Sequence, residues 1–218
     1  ISFRYPSRRQ TTVLEHLTLQ AKAGEKIALV GPSGAGKSTI VSLLLRFYEP
    51  DSGRLLVDDR PAADYSLTEL RGNMAIVPQE VLLFGGSIEE NIRFGDSAMN
   101  SAELRTILEQ VGLLEVIDQL PAGLATELST GGQPLTVAQS LRLMLARAIA
   151  LRPRVLILDE LLDLMEESTE RDLLLERLTD KSNPWTLILT SRSARVLSFS
   201  GRTFHLENGT LNEELSSR

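Results

Sequence analysis

Gly31-Pro-Ser-Gly-Ala-Gly-Lys-Ser38 decides how this chain is read. The stretch satisfies G-x-x-x-x-G-K-[ST], the phosphate-binding loop, at every fixed position. The run before it, Ile27-Ala-Leu-Val30, is short, apolar and strand-like. The run after it, Thr39-Ile-Val-Ser-Leu-Leu-Leu-Arg46, carries an apolar stripe at helical spacing. Strand, glycine-rich loop and helix are the context the motif requires. Gly31, Gly34 and Gly36 let the backbone approach phosphate oxygens so that successive N–H groups point inward. The following helix N-terminus adds a field that favours anions. In this reading Lys37 bridges the β- and γ-phosphates and the Ser38 hydroxyl binds Mg2+. The plain alternative is a glycine-rich turn between a strand and a helix.

A second acidic element supports the nucleotide reading. Val155-Leu-Ile-Leu-Asp159-Glu160 is an apolar, buried-type strand ending in two carboxylates. Asp159 can hold Mg2+ through water, and Glu160 is placed to orient a water against the γ-phosphate. Taken alone, the two acids would equally suit a solvated turn.

Elsewhere the chain alternates strand-like and helical segments. Ile1–Tyr5, Val13–Gln20, Arg54–Val57 and Met74–Val77 read as strands, the first two suggesting an antiparallel layer beside an α/β core. From Ser87 to about Ala150 the pattern is helical, with breaks near Gly95, Gly112 and Pro121–Gly123. A strong amphipathic helix starts near Val137, with Val137, Leu141, Met144, Leu145 and Ala148 on one face. A helix over about 167–178, strands at Thr186–Leu189 and Arg202–Leu206, and a short final turn complete the pattern. Trp185 and Leu173–Leu175 read as core, and His16 and His205 as structural or surface residues.

Bulk properties narrow the function classes. The 218 residues suit one full domain. A net charge of −6 without a dense basic stripe argues against nucleic acid as the main partner. The lack of cysteine excludes a disulfide framework and a thiolate metal site, and fits a reducing compartment. No apolar run reaches the roughly 18 residues needed to span a bilayer. The chain opens at Ile1 in mid-strand, so it is expected to be a domain cut from a longer polypeptide.

These residues together resemble the nucleotide-binding domain of an ABC transporter, over essentially the whole chain. The fold implied is α/β, a P-loop NTPase with a RecA-like core, an antiparallel β subdomain and a helical subdomain. The core would take about 1–79 and 152–218, and the helical subdomain about 80–151. Phe3-Arg-Tyr5-Pro6 resembles the aromatic loop, with the Tyr5 ring stacking on adenine, and Val77-Pro-Gln79 the segment that places Gln79 at Mg2+ and the attacking water. The resemblance also assigns Val13, Ser33, Ala35 and Thr39 to the ATP site, beside Gly31, Gly34, Gly36, Lys37 and Ser38. Leu83-Phe-Gly-Gly-Ser-Ile-Glu-Glu-Asn-Ile92 is similar to the exporter branch, in which this domain is fused behind a transmembrane domain.

Three family motifs are altered. The signature, Leu-Ser-Gly-Gly-Gln in the family, has a tempting match at Leu128-Ser-Thr-Gly-Gly-Gln133, but that carries an extra residue. Gln139 lies 20 positions before Asp159, with Ala146-Arg147-Ala148 between them, which is the family's order. The signature is therefore assigned to Leu135-Thr136-Val137-Ala138-Gln139. Val137 and Ala138 add Cβ atoms where the family has bare backbone, which weakens close approach to a partner's nucleotide. Asp163-Leu-Met-Glu166 replaces the usual Ser-Ala-Leu-Asp. Ser191 stands at the switch histidine, and a serine cannot carry the imidazole's charge near pH 7. Arg192, next in the chain, is the cation that could substitute electrostatically.

The resemblance implies MgATP binding, a head-to-tail dimer with a second nucleotide-binding domain, identical or not, and hydrolysis that drives a transmembrane domain. The location implied is the cytoplasmic face of the cell membrane. A competing reading keeps ATP binding but makes turnover slow or absent, as in the impaired half of a heterodimer. A soluble ABC protein acting on ribosomes or DNA would need tandem domains, a coiled-coil insertion or a basic linker, and none is seen in this sequence.

Overall fold

The computed structural model describes residues 1–94 and 99–214. In chain order its strands and helices are β1 (Lys26–Val30), α1 (Lys37–Leu44), β2 (Leu56–Val57), β3 (Arg60–Pro61), α2 (Leu67–Gly72), β4 (Met74–Val77), β5 (Gly86–Ser87), α3 (Ile88–Ile92), α4 (Ser101–Gln110), α5 (Leu114–Asp118), β6 (Glu127–Leu128), α6 (Val137–Ala150), β7 (Val155–Asp159), α7 (Thr169–Thr179), β8 (Thr186–Ser191), β9 (Arg202–Glu207) and β10 (Thr210–Glu214).

Six strands form the main sheet in the order β10-β9-β1-β8-β7-β4. All pairs are parallel except β10 with β9. The central strands β1, β7 and β8 are apolar through their middles because both faces are covered, with polar residues only at their ends. Side-chain alternation divides them cleanly. Ala28, Val30, Leu156, Leu158, Leu187 and Leu189 pack with α3, α4, α6 and α7. Ile27, Leu29, Ile157 and Ile188 face the other way, onto Ile40, Val41 and Leu43 of α1 and onto Phe3, Leu14 and Leu17. Each fully buried Val, Leu, Ile or Phe among them is worth about 1.5–3 kcal/mol.

The helices begin where their capping residues say. Ser87 with Glu90, Asn100 with Glu103 and Thr136 with Gln139 form reciprocal capping boxes at α3, α4 and α6. Ser66 and Ser168 cap α2 and α7. Among the described residues, two of the α-helices have no side-chain cap, α5 after Leu113 and α1, whose N-cap is Gly36.

Several sequence expectations need correction. Ile1–Tyr5 and Val13–Gln20 are not regular strands; they meet at one isolated bridge, Phe3 with Leu14, and at separate backbone hydrogen bonds such as Leu17 N–H to the Ile1 carbonyl, while Ser2 bridges to Ser52. Alternation supplied the buried side chains there, but the backbone lacks a continuous ladder partner. The antiparallel layer reduces to these bridges and the β2–β3 hairpin. The C-terminal turn continues into β10, which pairs along β9. Val137 is 61% exposed, because it is the first residue of α6 and lies a turn ahead of the buried stretch from Ser140. Leu173 points to solvent while Leu174 and Leu175 are buried, since three consecutive helical positions cannot share one face. The break at Gly112 is present, with φ +69° after α4. The break near Gly95 falls outside the described residues.

Candidate nucleotide site

The sheet brings the sequence-predicted residues to one edge. Parallel pairing sets Val30 of β1 beside Ser191 of β8, and Asp159 of β7 beside Thr190. The Gly31–Ser38 loop, the Asp159–Glu160 pair and Ser191 therefore share the C-terminal edge of adjacent strands. Gln79 follows β4, whose Val77 pairs with Leu158, so it joins the same edge and is exposed there. In open α/β sheets this edge is where ligands bind.

The loop is tightly built. At Gly31 a Cβ would meet the Leu206 carbonyl oxygen at 2.2 Å, so glycine is required by close approach of β9's backbone. Gly36 adopts φ +110°, and a Cβ there would meet Leu14 Cδ2 at 2.8 Å. With no side chain capping α1, its first N–H groups are left for an anion. Lys37 is 3% exposed and turns back over the loop. Its Nζ donates to the carbonyls of Gly31 at 2.6 Å and Pro32 at 2.9 Å, and lies 3.0 Å from Glu160 Oε1.

The strand-end carboxylates are held by hydroxyls. Ser38 Oγ donates to Asp159 Oδ1 at 3.2 Å, and Thr190 Oγ1 donates to the same oxygen at 2.7 Å. Thr190 Oγ1 also accepts the Glu160 N–H at 2.9 Å. Glu160 sits at φ +52°, a left-handed conformation that costs a non-glycine residue roughly 1–2 kcal/mol. Its amide bonds to Thr190 hold it there, and the carboxylate meets Lys37. Sequence reading missed Thr190. The one signal available was its place immediately before the switch position.

Ser191 is buried, and its Oγ donates to Asp163 Oδ1 at 2.5 Å. Asp163 Oδ2 accepts the Arg192 N–H at 2.8 Å and lies 3.4 Å from Arg192 Nε. Arg192 Nε is 3.6 Å from Glu160 Oε2. Asp163, seen in the sequence only as a departure from the family's motif, thus anchors the segment at the altered switch position.

Other expected residues lie at the rim. Tyr5 and Thr39 are joined through their hydroxyls at 2.9 Å, and the Tyr5 ring packs edge-on against Phe3 and Tyr48. Val13 is half-buried, Ala35 is buried and Ser33 is exposed. His16 is exposed away from these motifs, and His205 Nε2 lies 2.7 Å from Glu214 Oε2.

The signature candidate is on a different element. Leu135–Gln139 opens α6, with Thr136 as N-cap and Gln139 returning to the Thr136 N–H. Among the described residues, no hydrogen bond or ion pair joins it to the Gly31–Ser38 loop. The competing stretch Leu128–Gln133 forms the end of β6 and a turn through Gly131 and Gly132. The helix start therefore belongs to Leu135–Gln139.

The donor set suits a magnesium nucleotide. Open N–H groups and a lysine face an anion, and a hydroxyl and a carboxylate supply hard oxygen ligands. Among the described residues, no group of three or more His, Asp or Glu could hold a metal unaided. Ser38 and Asp159 would therefore share the ion with the nucleotide's own oxygens.

A family model described as ABC transporter matches residues 14–163. This chain belongs to the ABC transporter family. Its relatives include an ATP-dependent flippase, a multidrug resistance protein and an ABC exporter. It is 38% identical over 217 residues to an ATP-dependent lipid A-core flippase of Ralstonia nicotianae, covering 98% of this chain and 36% of that protein. It is 35% identical over 214 residues to the multidrug resistance protein homolog 65 of Drosophila melanogaster, covering 98% of this chain and 16% of that protein. A solved bacterial Atm1-family ABC exporter with ATP bound superposes with a TM-score of 0.89 at 32% identity, covering 98% of this chain and 37% of that one. The chain thus spans well under half the length of these relatives. No helix among its described residues is long and apolar enough to cross a membrane.

Proposed function

We propose that this ABC domain binds MgATP on its own Gly31–Ser38 loop and hydrolyses it to drive a membrane exporter. One observation carries the reading. Lys37 and Ser38 of the loop lie within 3.0 and 3.2 Å of Glu160 and Asp159 at the end of β7. In this reading Ser38 and Asp159 would hold Mg2+, with Gln79 beside them, and the ion would supply charge neutralisation at the phosphates. Lys37 leaves the loop carbonyls for the phosphates, and Glu160 orients the attacking water. Tyr5 packs against the adenine, and Val13, Ser33, Ala35 and Thr39 line the nucleotide. The chain is a single ATPase domain in which residues 80–151 form the helical subdomain. It works head-to-tail with a second such domain, whose nucleotide meets Leu135–Gln139, and with a transmembrane domain at the cytoplasmic face of the cell membrane.

A second reading is ATP binding with little turnover. It is supported by the altered contacts at the two places that face the γ-phosphate in such a dimer. Thr136, Val137 and Ala138 present side chains at the start of α6, and Ser191 is committed to Asp163. ATPase rate against protein concentration separates the readings. A rise steeper than linear supports a hydrolytic dimer. MgATP binding with flat, near-zero turnover supports the second reading, and absence of binding overturns both.

A further inference from the structure

Glu160 is held from two sides. Lys37 Nζ lies 3.0 Å from one carboxylate oxygen, and Arg192 Nε lies 3.6 Å from the other. The two cations are not equivalent. Lys37 must leave for the phosphates when a nucleotide binds, so its contact is temporary. Arg192 has no such duty. Its backbone N–H is fixed on Asp163 Oδ2 at 2.8 Å, and Asp163 is in turn fixed by the Ser191 hydroxyl at 2.5 Å. The Asp163 side chain is 5% exposed, so this anchor sits on a buried carboxylate.

We propose that Arg192 is a positioning residue for Glu160, held by Asp163, in the place where Ser191 cannot serve. Once Lys37 turns to the phosphates, Arg192 alone keeps one carboxylate oxygen fixed and leaves the other free for water. The guanidinium is always charged, planar and weakly hydrated, so it suits a fixed partner. Its side chain is 49% exposed, so the ion pair adds little to stability and acts on orientation. The inference rests on the ATPase reading above.

The test is steady-state ATPase kinetics on the whole protein that carries this chain, with MgATP binding measured separately. Arg192→Gln is expected to lower kcat about tenfold while KM for MgATP changes less than about twofold. Arg192→Lys, which keeps the charge, is expected to recover most of the loss. Asp163→Asn is expected to lower kcat as well, and the double variant to be no worse than the poorer single one, because both act through one contact. Unchanged kcat in Arg192→Gln, or a parallel rise in KM, overturns the proposal. Because Arg192 is half-exposed, loss of folding does not confound it, and a thermal melt checks this. Glu160→Gln distinguishes the two levels. Its turnover unchanged from the parent removes Glu160 from its role and this proposal with it, whereas MgATP binding without turnover in the parent removes the ATPase reading. Its turnover lost, with Arg192→Gln at the parent's rate, removes this proposal alone.

Discussion

Lys37 Nζ lies 3.0 Å from Glu160 Oε1 and also donates to the Gly31 and Pro32 carbonyls. The three N–H donors of the lysine are therefore matched by the loop itself and by the residue assigned to orient water. In the proposed function a nucleotide would exchange these contacts for phosphate oxygens and so release Glu160 toward the reaction, which would couple binding and activation through one side chain.

Glu160→Gln tests the coupling directly. The amide cannot accept a proton or polarise water as a carboxylate does, so kcat is expected to fall by about 10²–10⁴. Lys37 loses its charged partner, so MgATP affinity is expected to hold or rise. Single-turnover hydrolysis and equilibrium nucleotide binding on one preparation measure both. Turnover at the parent's rate would remove Glu160 from the role.

Thr190→Val removes the hydroxyl that joins Asp159 to the Glu160 amide. Thr190 is buried, and the shape of valine is close, so the loss is one of hydrogen bonds. Stability is expected to drop by about 1–3 kcal/mol. Thr190→Ser keeps the hydroxyl and is expected to lose less than Val does. Denaturant unfolding of the pair gives the difference, and equal losses would refute the hydroxyl's role.

Gly31→Ala places a methyl group 2.2 Å from the Leu206 carbonyl oxygen. Neither backbone can yield without disturbing β1 or β9, so destabilisation of at least about 1–3 kcal/mol is expected. MgATP affinity should fall with it. A melting temperature matching the parent's would show that β9 moves more easily than its place in the sheet implies.

The antiparallel edge carries an acid-sensitive contact. Hydrogen bonding to Arg202 lowers the Glu213 pKa from its ordinary 4.5, and Glu213 lies 2.6 Å from Arg202 Nε. A carboxylate with a lowered folded-state pKa stabilises above its unfolded value, and the gain is lost as pH falls through the folded value. Near neutral pH the parent is therefore expected to melt above Glu213→Gln. The gap should close as the solution is taken below the ordinary carboxylate range. A gap independent of pH would exclude ionisation as its source.

The phosphate-binding loop was legible because its chemistry is local. Eight consecutive residues supply the glycines, the lysine and the hydroxyl, and flanking apolar runs specify strand and helix. The Asp159–Glu160 strand end was legible for the same reason. The early strands were misjudged because alternation reports which side chains are buried, not whether a backbone partner is present. Val137 and Leu173 were misjudged because an apolar residue at a helix end or in a triplet carries no direction by itself.

What the sequence determined alone was an inventory along the chain: the strand, loop and helix at Ile27–Arg46, the apolar strand ending at Asp159–Glu160, and the residue types standing at Leu135–Gln139 and Ser191. What only the tertiary structure decided was the partnership of groups far apart in the chain. Parallel pairing of β7 with β8 sets Thr190 between Asp159 and Glu160. The turn after β7 delivers Asp163 to Ser191 and Arg192, and Arg192 to Glu160. Hydrogen bonds and ion pairs act over about 3–4 Å, so their existence depends on strand register, which a linear pattern does not contain.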